Sequence, residues 1–233
     1  MDRKYQHLFF DLDHTLWDFE SNSRFTLEEL YEQFQLKQKG IHDFEEFHRH
    51  YINYNERLWE KYRNGLMKVD ELRWKRMWLT LLEFKIADEE LSREMGMVFL
   101  DRLPTRNILF PHTREILDYL ANKNYHLHLI TNGFERTQHS KLQNARLENY
   151  FETVITSETS NSLKPNKEIF DFALMKTRAR KEESIMLGDS IEVDIVGAMN
   201  AGIDQVYVNH TGIEPPIKPT YIVYSLKELE NIF

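Results

Sequence analysis

The sequence predicts an α/β protein: a parallel β-sheet with helices on both faces, interrupted early by a separate helical bundle. Three observations lead there. Short apolar runs end abruptly on small polar or acidic residues. Amphipathic helical stretches alternate with the later runs. One long section, residues 19–101, carries helical periodicity and no strand signal.

The strand-like runs come in order. Residues 7–10 stop at Asp11-Leu12-Asp13, and 127–130 stop at Thr131-Asn132-Gly133. Val154 and Ile155 precede Thr156-Ser157-Glu158, 185–187 stop at Gly188-Asp189-Ser190, and 206–208 stop at Asn209-His210-Thr211. Helices are expected over 113–121, 167–177 and 194–201, the last closed by Gly202 as a C-cap glycine. Strand, helix, strand at this spacing is the pattern of a parallel sheet covered on both faces.

The inserted section shows three apolar stripes: Phe25, Leu27, Leu30, Tyr31 and Phe34; then Phe44, Phe47, Tyr51, Tyr54, Leu58, Trp59 and Tyr62; then Leu72, Trp74, Met77, Trp78, Leu81 and Leu82. Three or four helices exceed what a crossover needs and form a small bundle. Asp70 and Asp88 are expected helix starts, and Trp59, Trp74 and Trp78, at helical spacing, are expected in the bundle core. Leu103-Pro104 and Phe110-Pro111 mark the return to the sheet. The expected division is a core over 1–17 and 102–233 and a helical domain over 18–101.

Composition narrows the chemistry. The chain has 233 residues, 41% hydrophobic and 29% charged, enough apolar material for a sizeable core without covalent staples. It has no cysteine, which excludes disulfides, thiolate metal sites and cysteine nucleophiles. A formal net charge of -8 argues against polymeric nucleic acid, whose phosphates need a basic footprint. No apolar run reaches the roughly 18 residues of a membrane span, and the opening stretch lacks the form of a signal peptide, so a cytoplasmic protein without membrane contact is expected.

In open parallel sheets ligands bind beyond the carboxyl ends of the strands, and here those ends carry four polar motifs. Asp11 and Asp13 stand two apart on extended chain, side by side about 6.5 Å from one another. Two carboxylates so placed repel, so a cation holds them or one is protonated. A hard cation such as Mg²⁺ suits carboxylate and carbonyl oxygens; with it in place, one acid can attack phosphorus and the other can handle protons. Thr131-Asn132-Gly133 offers small donors and close backbone approach, as a phosphate-binding turn requires. Lys164, before Pro165, can neutralise both the acids and a phosphoryl group. Gly188-Asp189-Ser190 with Asp194 adds hard oxygens, Asp189 as the better direct ligand and Asp194 acting through water or by orienting a neighbour. Read singly, each fragment has a plainer account: solvated acids, a post-strand turn, a surface lysine, a helix cap.

Together and in order, these residues resemble the haloacid dehalogenase (HAD) superfamily, at Phe9-Phe10-Asp11-Leu12-Asp13-His14-Thr15-Leu16, Ile130-Thr131-Asn132-Gly133, Lys164-Pro165 and Gly188 to Asp194. The resemblance implies a Rossmann-like, doubly wound core with a helical cap inserted after the first motif. It implies Asp11 as nucleophile, Asp13 as general acid and base, Thr131 on the transferring phosphoryl group and Lys164 balancing charge. It puts Mg²⁺ among the Asp11 side chain, the Asp13 carbonyl and Asp189, with Asp194 behind. Asp13 also separates phosphatases from the superfamily's dehalogenases, which lack that second acid.

A finer resemblance, at Gly188 to Ala198, Asn200-Ala201-Gly202-Ile203, Ile130 to Phe134 and Asp11 to Phe19, is to the YjjG/YfnB-type subgroup, which includes pyrimidine nucleotide 5′-nucleotidases. The expected substrate is a small phosphomonoester, a nucleoside 5′-monophosphate, and the expected assembly a monomer or homodimer. Trp17, directly after the first motif, is expected to stack on the base as a substrate-binding residue, with Phe134 a second candidate. The alternatives are a phosphoglycolate or sugar-phosphate phosphatase, a sugar phosphomutase on the same scaffold, and a binding protein without turnover, which would show a damaged motif. His126 and His128 flank Leu127 but have no evident third ligand for zinc, His42, His48 and His50 read as surface, and His14 would point away from the motif acids.

Overall fold

The computed structural model describes residues 4–233. The chain forms two compact units, one running through Phe19 and resuming over Asn107–Phe233, the other formed by Glu20–Arg106. The divisions lie slightly beyond the expected 17/18 and 101/102. Main-chain bonding extends the sheet unit there: Trp17 bridges to Leu109, and the Asp18 N–H donates to the Ile108 carbonyl at 3.1 Å.

The first unit holds a six-stranded sheet of β1 (His7–Phe10), β2 (His126–Thr131), β3 (Thr153–Thr156), β4 (Ser184–Gly188), β5 (Asp204–Val208) and β6 (Tyr221–Val223). The order is β3-β2-β1-β4-β5-β6, with every neighbouring pair parallel. The helices are α1 (Phe19–Gln33), α2 (Phe44–Arg63), α3 (Val69–Glu83), α4 (Glu89–Arg102), α5 (Thr113–Asn122), α6 (Glu135–Asn144), α7 (Ser157–Ser160), α8 (Lys167–Thr177) and α9 (Gly197–Ala201). Strands covered on both faces need apolar residues at every position, which explains the unbroken runs read in the sequence. Leu8, Phe9 and Phe10 are all fully buried, as are Ile185, Met186 and Leu187.

The two faces use alternate residues. Phe9, Ile130, Ile155 and Met186 pack with Ile169, Phe170 and Ala173 of α8 and with Ala198 and Ala201 of α9. On the opposite face Phe10 meets Phe151 edge-on, ring centroids 6.2 Å apart. Each such side chain contributes about 1.5–3 kcal/mol by leaving water. Gly202 closes α9 in the left-handed region, φ +77°, as expected. The helical segment before α9 differs from expectation: it begins at Ile191 with a π-type turn, Ser190 capping the Val193 N–H at 3.3 Å. β6, three residues long, carried no strand signal in the sequence.

From β1 the chain adds strands first on one side, then returns and adds them on the other. Loops at the carboxyl ends therefore part on either side of β1, opening a crevice there. The β1–β4 register, Phe10 beside Leu187, brings Asp11 next to Gly188, and the Asp11 N–H donates to the Leu187 carbonyl at 2.8 Å.

In the second unit α2 buries Phe47, Tyr51 and Leu58, α3 buries Leu72, Met77 and Leu81, and α4 buries Leu91, Met95 and Phe99. Asp88 caps α4 as expected, accepting the Leu91 N–H at 2.9 Å. Asp70 does not start α3: Lys68 is the capping residue, and Glu71 accepts its N–H from within the first turn. Trp59, Trp74 and Trp78 are half-buried, not core. Smaller side chains fill the centre while the indoles lie across the rim, where Arg93 covers Trp74 at 3.9 Å. His48 is likewise not a plain surface residue; its ring lies half-buried against Phe44. Among the described residues no helix is long and apolar enough to cross a membrane.

Candidate active site

Asp11 leaves the end of β1, and its Oδ1 accepts from the Lys164 ammonium at 2.5 Å. The same ammonium donates to Asp194 Oδ1 at 2.7 Å. All three residues are nearly or wholly shielded from water. Lys164 reaches them because Asn132 grips its main chain from both sides: Asn132 Nδ2 donates to the Lys164 carbonyl at 2.8 Å, and the Lys164 N–H donates to Asn132 Oδ1 at 2.7 Å. Asn132, expected on the substrate, thus spends its amide on the lysine loop. Thr131 ends β2, its Oγ1 accepting the Gly133 N–H at 3.1 Å, which leaves the hydroxyl hydrogen available to donate.

Asp189 follows β4 and accepts from the Thr15 hydroxyl at 2.9 Å. Asp194 lies across Gly188: a Cβ there would come within 2.4 Å of the Asp194 carboxyl. The second Asp194 oxygen accepts the Ser190 N–H at 3.0 Å. One oxygen from each of Asp11, Asp189 and Asp194 lies within 4.8 Å of the others.

Acids at strand ends on both sides of the switch in strand order, one ammonium among them, and a second acid two residues after the first make up the arrangement. Residues 8–208 match the family described as haloacid dehalogenase-like hydrolases. The chain belongs to this family. It is 32% identical to the pyrimidine 5′-nucleotidase YjjG of Escherichia coli over 98% of either chain. It is 29% identical to the pyrimidine 5′-nucleotidase PynA of Streptococcus pneumoniae, over 97% of this chain and 93% of that one. The magnesium-bound crystal structure of the HAD-hydrolase YfnB of Bacillus subtilis has the same fold, with a TM-score of 0.89 at 26% identity over 99% of either chain.

In this hydrolase the buried acids outnumber their local cation. Burial, reinforced by Asp194 and Asp189 and opposed by Lys164, drives the Asp11 carboxyl well above the usual carboxylate range. Asp189 is pushed up to about 7, chiefly by burial and then by Asp194. Burial alone would depress the Lys164 ammonium, but the Asp11 and Asp194 charges outweigh it and raise it.

The structure also brings in groups the sequence reading missed. Both oxygens of Asp13 are held by α6: Oδ1 accepts from Lys141 at 2.5 Å and Oδ2 from Gln138 Nε2 at 3.0 Å. Gln138 and Lys141 lie three apart on the buried face of α6 with Leu142. Their signal was polarity at positions where the 3.6-residue period calls for apolar residues. His210 is another, its Nε2 bonded to the Thr15 carbonyl at 3.1 Å and its ring stacked on Phe110 at 3.8 Å.

Trp17 requires a correction. It is fully buried, and the Lys141 ammonium lies 4.2 Å from its ring centroid. The indole is a support for Lys141, not an open platform for a base. Phe134, only 6% exposed, is equally closed.

Proposed function

We propose that this hydrolase is a magnesium-dependent phosphomonoesterase that works through a phosphoryl-enzyme at Asp11, with pyrimidine nucleoside 5′-monophosphates as substrates. The observation that carries the reading is the Asp11 carboxylate at the end of β1, paired with Lys164 at 2.5 Å, with Asp13 two residues on. The similarity to the pyrimidine 5′-nucleotidases YjjG and PynA, over 98% and 93% of their lengths, supports the substrate class.

The residues fit a hard divalent ion. Its donors would be oxygens only, from Asp11, the Asp13 carbonyl and Asp189, with Asp194 behind them. Four carboxylates, Asp11, Asp13, Asp189 and Asp194, face two ammonium groups, Lys164 and Lys141. Counted as ionised, the four carboxylates leave two negative charges over, which a divalent cation would balance. When bound, Mg²⁺ supplies charge neutralisation to the phosphoryl oxygens.

The chain's own groups divide the remaining work. Lys164 keeps Asp11 in place and opposes the negative charge that builds on phosphorus. The Thr131 hydroxyl can donate to a phosphoryl oxygen. A bond forms from an Asp11 carboxylate oxygen to phosphorus as the bond to the ester oxygen breaks, and protonated Asp13 gives its proton to that departing oxygen. Water then attacks the same phosphorus, Asp13 takes its proton, and the bond to Asp11 breaks to release phosphate.

The test is phosphate release with Mg²⁺ from a panel of dUMP, dTMP, UMP, AMP, phosphoglycolate and hexose phosphates. Pyrimidine monophosphates are expected to lead, Asp11→Asn to abolish turnover, and chelation to stop it. A clear preference for phosphoglycolate or a hexose phosphate would replace the substrate class. Full turnover in Asp11→Asn would remove the mechanism.

A further inference from the structure

We propose that Gln138 and Lys141 are the positioning residues of Asp13, holding its carboxylate for proton transfer with the ester oxygen of an alkyl phosphate. The inference rests on the reading of Asp13 as acid and base and names what that reading lacks, the groups that aim it.

Lys141 is 2% exposed, and Asp13 is its carboxylate partner. Taking an ammonium out of water costs several kcal/mol, and a buried ion pair rarely stabilises more than apolar side chains of the same size. A leucine in the buried stripe of α6 would serve the fold as well. Gln138 points the same way. It is 1% exposed, its Nε2 donates to Asp13, and its Oε1 has no hydrogen-bond partner among the described residues. A buried amide turned onto Asp13 is a polar choice on a face that apolar packing alone would fill with a hydrocarbon side chain.

Neighbouring residues are shaped around the pair. Gly133 lacks the Cβ that would lie 1.9 Å from Gln138 Nε2. The faces of Trp17 and Phe19, 4.2 and 5.4 Å from the Lys141 ammonium, favour a cation and confine it. With one donor on each oxygen, the Asp13 carboxylate cannot rotate without losing a charge-assisted bond, yet each oxygen keeps a lone pair for the travelling proton.

The leaving group provides the test. An alkyl oxygen must be protonated as it departs, whereas p-nitrophenolate departs without a proton, and kcat/KM reports the steps through that departure. In Lys141→Met, kcat/KM for UMP is expected to fall about tenfold or more and that for p-nitrophenyl phosphate by less than about threefold, within the roughly 100-fold or greater contribution of general acid catalysis. Equal falls on both substrates, or no fall on either, would overturn the proposal. Thermal melting checks the fold. Should Lys141→Met fail to fold, Gln138→Leu, which removes the other donor to Asp13, reads the same ratio. Asp11→Asn run alongside separates the two ideas. Its inactivity with a uniform loss in Lys141→Met refutes the positioning role alone, and its activity refutes the parent mechanism.

Discussion

Gly188 and Asp194 show how closely the site's parts are fitted. The Asp194 carboxyl occupies the space a side chain at 188 would need, and from there it shares the Lys164 ammonium with Asp11. Gly188→Ala is expected to displace Asp194, lower kcat by more than about tenfold and cost about 1–3 kcal/mol through overpacking. Steady-state kinetics and a denaturant midpoint check both, and wild-type kinetics would mean Asp194 has another place to stand. At this scale the sequence was legible where a residue type was unusual for its place. Acids directly after apolar strands drew attention to Asp11, Asp13 and Asp189, and the fold places Asp11 and Asp189 within reach of one another. It was illegible where a role depends on which partner arrives from a distant element. Nothing local distinguishes Asn132 as a clamp on Lys164 from Asn132 as a donor to substrate, and the open platform expected of Trp17 failed because α6 lays Lys141 on it.

At the scale of elements, β1 and β2 create a second cluster that the sequence disclosed only in part. His126 and His128 alternate along β2, and the third histidine comes from β1, where His7 pairs in register with His126. Parallel register is a tertiary property, so a search along one strand could not find it. His7 Nδ1 lies 3.1 Å from His128 Nε2, His126 bonds Glu152 at 2.7 Å, and Phe9 packs on the His128 ring. Burial first, then His7 and His126 against an opposing Glu152, lowers His128 to about 4. A histidine depressed in the folded state contributes full stability above its unfolded value of about 6.5 and loses it as pH falls from there through about 4. Stability is expected to decline on that side with a slope of at most about 1.4 kcal/mol per pH unit from this group. His128→Phe should flatten the decline relative to wild type in denaturation series between pH 7 and 4, and an unchanged slope would assign it elsewhere. The main strands and the inserted helices were readable from periodicity. β6 was not, since three residues hold too little pattern.

On the scale of the whole molecule, a net charge of -8 and a site with more acids than ammonium groups mean that the proposed cation would bear on folding as well as on catalysis. An ion that binds the native state stabilises it by mass action, about 2.7 kcal/mol at a hundred times its Kd. Added Mg²⁺ is expected to raise the melting temperature, and Asp189→Asn to shrink the increase. An identical response in the variant would take Asp189 out of the ligand set. The site itself is drawn from widely separated stretches: Asp11 and Lys164 stand 153 positions apart, and Thr15 and Asp189 stand 174 apart. During synthesis Asp11 therefore leaves the ribosome long before the lysine that pairs with it, and longer still before the acids after β4. A truncated chain that stops short of β4 would hold Asp11 without Asp189 or Asp194, so under the proposed mechanism it is expected to show no phosphatase turnover.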